Sequence, residues 1–234
     1  MKPTFLLIHG GPGFDQSYFY PYMNFLKRYF ELHSYNLGSI LTKYSLEGLV
    51  AELGDHISQF KRNSKKVYLF AHSFSSILTL KLNQDILNKV DKIILSNWVY
   101  DHKWISIFYK QFPQYKGLSF NSLKEMTLFY NSVYFENTVD GAKVLERIKY
   151  NDKLQKSVAG VYTKELSLDV SLQLNSHKII SISADKDKIT PDTYIQIANL
   201  KYKLEKIRID NSSHFPFIDQ PKVFEEKLLS TLGK

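Results

Sequence analysis

Directly after the apolar run Val67-Tyr68-Leu69-Phe70 the chain reads Ala71-His72-Ser73-Phe74-Ser75. A serine flanked two positions away on either side by small residues suits a strand that turns sharply into a helix. The flanks must be small because helix and neighbouring strand approach closely around a strained turn. Such a turn lifts the hydroxyl above one end of a sheet, so the surrounding sequence has to build that sheet and cover it with helices. The ordinary alternative is a buried serine at a strand end, which this run alone does not exclude.

The rest of the chain has the required alternation. Strand candidates lie at 4–8, a short apolar run, and at 31–35, 66–70, 91–95, 178–183 and 206–209. Helical spacing predicts helices at 17–29, 46–60, 74–87, 193–200 and 221–232. Ser45 is placed to cap the second of these, and Pro221 suits the first turn of the last. The expected class is α/β: a compact, mostly parallel sheet of about six strands, covered on both faces. Between Asn97 and His177 lie roughly eighty residues with no clear buried strand, only helical patterns near 104–111, 122–131, 141–149 and 154–161. Connections inside such sheets are much shorter. Residues 99–176 are therefore expected to form a helical cap, with 1–98 and 177–234 as the core; a plain flanking layer is the alternative.

Composition narrows the classes. With 234 residues, 44% of them apolar, the chain can bury one substantial core. No apolar run is long enough to span a bilayer, and the stretch 5–8 is too short for a signal-peptide core, so a cytoplasmic location is expected. The absence of cysteine excludes disulfides, thiolate metal sites and a cysteine nucleophile. The formal charge of +8 comes from 31 basic residues, of which only Arg28, Arg62, Arg147 and Arg208 are arginine. The lysines are scattered, densest at Lys61, Lys65 and Lys66 beside Arg62. That pattern reads as a solvated surface and not as a nucleic-acid interface, although it favours encounters with anionic partners.

Three further motifs stand where strands end. His9-Gly10-Gly11-Pro12-Gly13 closes the first strand, and its glycines leave backbone N–H groups able to point into a site. Gly11 and Phe74 are the expected pair of oxyanion donors. A phosphate loop would need a following Gly-Lys-Ser/Thr, which is missing; a simple tight turn is the alternative. Ala184-Asp185-Lys186-Asp187-Lys188-Ile189-Thr190-Pro191 follows the fifth strand, and a carboxylate there can orient a histidine. Asp187 is preferred to Asp185 because it lies farther into the loop, which leaves Asp185 as a turn cap. Asp210-Asn211-Ser212-Ser213-His214-Phe215-Pro216 follows the last strand and places His214 to reach both Ser73 and Asp187. His9 is expected to be a structural partner in its loop. His33, His56, His102 and His177 show no metal-ligand spacing. An aromatic pocket is expected from Phe14, His72, Phe74, Trp98, Trp104, Phe129 and Tyr130, any one of which could instead be plain core.

Together these residues resemble the α/β-hydrolase fold superfamily, in which Ser, Asp and His follow successive strands in that order. The His-Gly-Gly-Pro-Gly loop is most similar to the proline iminopeptidase-like group. The resemblance implies Ser73, Asp187 and His214 as catalytic residues, Gly11 and Phe74 as oxyanion donors, and a cap over about 99–176. It also implies a sheet lacking the first two strands common in the family. Ser75 and Ser213 stand where the family has glycine, and Asn36-Leu37-Gly38-Ser39 replaces its usual charged loop. Glu125, Glu136 and Glu146 are available as cap carboxylates. Tyr134-Phe135 looks like part of the amine-binding motif, but Asn131 occupies a glutamate position.

The implied chemistry is hydrolysis of an ester, thioester or amide through an acyl-enzyme, without cofactor or metal. A small carboxylic ester is the expected substrate. Alternatives are an aminopeptidase acting on short peptides and a non-catalytic binding protein on the same fold. No membrane insertion and no nucleic-acid partner are expected, and the oligomeric state is left open.

Overall fold

In a computed structural model the structure describes residues 2–113, 123–158, 160 and 168–234, with 123–126 described by backbone alone. Six strands, β1 Thr4–Ile8, β2 Glu31–Tyr35, β3 Val67–His72, β4 Lys92–Ser96, β5 Ile179–Ala184 and β6 Glu205–Ile209, form one sheet in the order β2-β1-β3-β4-β5-β6. Every pairing is parallel. The register sets Ile8 beside Ala71, Ala71 beside Leu95, and Ala184 beside Ile209. The loops leaving β1, β3, β4, β5 and β6 thus emerge along one edge of the sheet.

Side chains alternate between two cores, as the pleat requires. Leu6, Ile8, Leu69, Ala71, Ile93 and Leu95 face one, while Phe5, Leu7, Phe70, Ile94, Ile180 and Ile182 face the other. All are buried, which explains why these strands read as nearly continuous apolar runs. Helix α1 (Leu46–Asn63) starts as expected, with Ser45 Oγ accepting from Gly48 N–H at 3.0 Å.

Two expected helices differ. Residues 17–29 hold two 3₁₀ segments, Gln16–Phe19 and Asn24–Arg28, instead of one α-helix. Pro21 lies between them; it has no N–H to give and disfavours helical backbone in the residue before it. Residues 74–87 break into α2 (Ser75–Leu80) and α3 (Gln84–Leu87), because the Asn83 side chain accepts from Ile86 N–H at 2.9 Å and starts a new helix.

Between β4 and β5 run α4 (Lys103–Gln111), α5 (Leu123–Tyr134), α6 (Thr138–Arg147), α7 (Asp152–Val158) and α8 (Asp169–Asn175). This is a helical insertion over the edge where the loops emerge. The end of the pattern expected at 154–161 falls outside the described residues, and α8 was not anticipated. After β5 come α9 (Asp192–Tyr202), then β6, α10 (Pro216–Asp219) and α11 (Pro221–Thr231). Among the described residues, no helix is long and apolar enough to cross a membrane.

Candidate active site

Ser73 sits on the turn between β3 and α2 with φ of +54°, a left-handed conformation that costs a non-glycine residue about 1–2 kcal/mol. The neighbourhood enforces this turn. Ser73 N–H donates to Ser96 O at the end of β4, 2.9 Å away. A Cβ on Gly10 would lie 2.7 Å from His72 O and 2.7 Å from Ser73 Cβ, so only glycine lets the β1 loop come this close to the turn. Ser75, where glycine was expected, is accommodated by hydrogen bonding. Its hydroxyl lies 2.9 Å from both Ile8 O and His72 O, tying the turn to β1.

His214 reaches this serine. Its Nε2 is 2.9 Å from Ser73 Oγ, while Nδ1 is 2.9 Å from Asp187 Oδ2 and 3.1 Å from Oδ1. An ionised carboxylate can only accept, so Nδ1 carries the hydrogen and Nε2 is the acceptor for the Ser73 hydroxyl. Asp187 is buried and fully engaged. Oδ1 receives Ile189 N–H at 2.8 Å and Thr190 N–H at 3.0 Å; Oδ2 receives Thr190 Oγ1 at 2.7 Å and Asn97 Nδ2 at 2.8 Å. Burial pushes this carboxyl's pKa up. The charge and hydrogen bond of His214, with the bonds from Asn97 and Thr190, outweigh that and hold it below its ordinary value. Asp185 stands outside the array, accepting from Ser212 N–H at 3.2 Å.

Asn97 went unnoticed in the sequence. Its φ is +49°, and its amide bridges Asp187 and Ser213 O, the latter at 3.3 Å. The signal available was an asparagine directly after a strand, a residue type that tolerates this backbone. The His214 main chain is itself clamped, with N–H donating to Tyr134 O at 3.0 Å and C=O accepting from His72 Nε2 at 2.8 Å.

Ser73 opens into a cavity of about 170 Å³ whose walls include Gly11, Phe14, Trp104 and Tyr130. Gly11 has φ of +47°, and Phe74 is the residue immediately before α2. Four expected pocket residues are elsewhere. The Phe74 side chain is buried in the core cluster on one face of the sheet. Trp98 is fully buried in the core, with Nε1 donating to Ser181 Oγ at 2.8 Å. His72 points beneath the site towards Tyr18, because β3 continues through it and turns its ring away from the cavity. Phe129 is not in the wall; its ring packs on Tyr130 with centroids 5.4 Å apart. The remaining wall comes from Pro12, Gly13, Val99, Tyr134, Tyr150, Gln155 and Ile189. Val99, Tyr150 and Gln155 had no signal in the sequence, being single residues in loops and within the short helix α7.

No charged side chain lines this cavity among the described residues. Glu136 pairs with Lys186 at 2.7 Å on the surface, Glu146 is exposed, and the Glu125 side chain lies outside the described residues. A roomier open groove of about 500 Å³ between α1 and the α2–α3 segment has no nucleophile-and-base pair in its walls. No cluster of three or more His, Asp or Glu side chains among the described residues is placed to hold a metal ion.

No protein-family model matches the chain, and no curated protein matches its sequence. Solved structures do match its fold. A carboxylesterase from the thaumarchaeon Nitrososphaera gargenis superposes with a TM-score of 0.76 at 17% identity, covering 99% of this chain and 90% of the other. An esterase from Exiguobacterium antarcticum gives 0.71 at 15%, over 100% and 93%. A proline iminopeptidase-related protein from Thermus thermophilus gives 0.72 at 15%, over 99% and 89%. The sheet, its parallel order and the helical insertion are those of the α/β-hydrolase fold.

Proposed function

We propose that the chain is a serine hydrolase acting on small, uncharged carboxylic esters, with residues 99–176 as its cap. The observation that carries this reading is the continuous Ser73–His214–Asp187 hydrogen-bond array at the mouth of a small aromatic cavity.

As Ser73 Oγ attacks the carbonyl carbon, its proton passes to His214 Nε2, and Asp187 stabilises the imidazolium. The carbonyl oxygen takes up the negative charge and is held by the Gly11 and Phe74 N–H groups. When the tetrahedral centre collapses, the ester C–O bond breaks and the leaving oxygen takes the proton from Nε2. Water then loses a proton to the same nitrogen, attacks the acyl carbon and returns Ser73 as the hydroxyl while the acid departs.

The cavity supports the substrate class. A dry pocket of about 150 Å³ holds benzene, so about 170 Å³ suits one group of that size. An aminopeptidase would need a carboxylate facing the substrate ammonium, and the described lining offers none. A silent binding protein would have no use for a hydroxyl held on an imidazole.

The test is a panel of p-nitrophenyl esters of rising acyl length set against aminoacyl arylamides. Short neutral esters should be turned over fastest, and Ser73→Ala should lower kcat by about 10⁴-fold or more with little change in thermal unfolding. Faster arylamide cleavage would overturn the substrate class, and turnover surviving in Ser73→Ala would overturn the nucleophile.

A further inference from the structure

Beneath the site lies a buried chain of hydrogen bonds that the mechanism above does not use. Gly10 N–H donates to the Tyr18 hydroxyl. That hydroxyl is 2.9 Å from His72 Nδ1, and His72 Nε2 is 2.8 Å from the His214 carbonyl oxygen. Tyr18 and His72 are both essentially inaccessible to solvent. Each hydrogen can be assigned by elimination. A carbonyl only accepts, so His72 carries its hydrogen on Nε2, and Nδ1 must accept. Tyr18 already receives Gly10 N–H, so its own hydrogen goes to Nδ1. The chain therefore runs in one direction: Gly10 N–H to Tyr18 O–H to His72 Nδ1, then His72 Nε2–H to His214 O.

The order requires a neutral imidazole, since a second hydrogen on Nδ1 would face that of the phenol. Burial, with the neighbouring His214 charge, depresses the His72 pKa well below its ordinary value, against smaller opposing effects of the His214 carbonyl bond and Asp187. The rings are held in place as well: Tyr18 meets His72 edge-on at 5.5 Å and Phe215 edge-on at 5.1 Å.

The two ends of this chain are what matter. Gly10 is joined by one peptide to Gly11, the proposed oxyanion donor, and His214 carries the proposed base. His72 is the residue before the nucleophile. We propose that Tyr18 and His72 form a positioning bridge that locks the Gly10–Gly11 loop and the His214 main chain into one frame around Ser73. This rests on the hydrolase reading. Neither residue touches substrate; both act by fixing where the oxyanion donor and the base stand relative to each other.

The test counts competent sites separately from their speed. A fluorophosphonate titrates reactive Ser73, and kcat on p-nitrophenyl acetate is expressed per titrated serine. Tyr18→Phe and His72→Gln should each lower that kcat by ~10- to 100-fold with KM little changed. The double variant should lose little more than either single one, because the bridge fails as a unit. His72→Gln, whose amide can still donate to the His214 carbonyl, should retain more turnover than His72→Leu. Nitrogen NMR of labelled histidine should show His72 as the neutral Nε2–H tautomer at pH 7, with its Nδ1 signal shifted in Tyr18→Phe. Fewer titratable serines at unchanged kcat per site would mark a purely structural role and overturn the bridge; Tyr18→Phe decides this even if the His72 variants do not fold. A wild-type protein that neither takes the phosphonate nor cleaves esters would overturn the hydrolase reading itself.

Discussion

Asp185 and Asp187 differ by two positions and by everything around them. Asp187 collects five donors in a buried loop, whereas Asp185 receives one backbone N–H from Ser212. Asp187→Asn should lower ester turnover by about 10⁴-fold and Asp185→Asn only slightly; equal losses would show that Asp187 does not orient His214. His9 supports a prediction about stability. Its Nε2 accepts from Leu37 N–H at 2.9 Å, and burial lowers its pKa from 6.5 to about 4. As pH falls through 6.5 the unfolded chain takes up a proton that the folded one refuses until about 4. The stability present above 6.5 is therefore lost across that window, by about 3 kcal/mol. Urea midpoints at pH 7 and 4.5 should diverge more in the wild type than in His9→Gln, and equal slopes would reject the assignment. Ser73, Asp187 and His214 could be read from sequence because each stands just past a strand. Asn97 also stands just past a strand, but an amide there does not announce which carboxylate it serves, and Tyr18 read only as part of a helical aromatic face.

The core elements declared themselves through period and capping: α1 through its apolar face and Ser45, and the inner strands β1, β3 and β4 through their largely apolar runs. The segment 17–29 misled because its aromatic spacing is helical while its backbone is interrupted at Pro21. The insertion was legible as helices, and Trp104 and Tyr130 as pocket residues, but Val99, Tyr150 and Gln155 were not. One contact there can be tested. The Asp219 carboxylate, at the end of α10, accepts from Ser213 N–H at 2.7 Å, Asn137 N–H at 3.0 Å and Glu136 N–H at 3.1 Å. It joins the α5–α6 connection to the histidine loop. Asp219→Ala leaves three donors without their acceptor and should cost roughly 2 kcal/mol, with a fall in ester turnover. Thermal unfolding of the variant checks this, and an unchanged midpoint would show that the junction does not depend on Asp219.

At the scale of the whole molecule, charge and chemistry are separated. The protein carries +8, yet the described lining of the cavity has no charged side chain. Surface charge acts on encounter and is screened within about 8 Å at physiological salt. For a neutral ester, kcat/KM should stay nearly flat as salt is raised, whereas an anionic ester should lose ground. A steep fall for the neutral ester, measured over the same salt series, would place a charge at the site. The tie between the insertion and the core has a further consequence. The carbonyls of Ser132, Val133 and Tyr134 bind Lys188 Nζ, Ser213 Oγ and His214 N–H at 2.8, 3.3 and 3.0 Å. A chimaera that exchanged all of 99–176 for a foreign segment would unseat His214, the proposed base, along with the covering helices. Transplants that leave 132–137 in place keep His214 seated, so new pocket walls can be grafted on either side of that short native hinge.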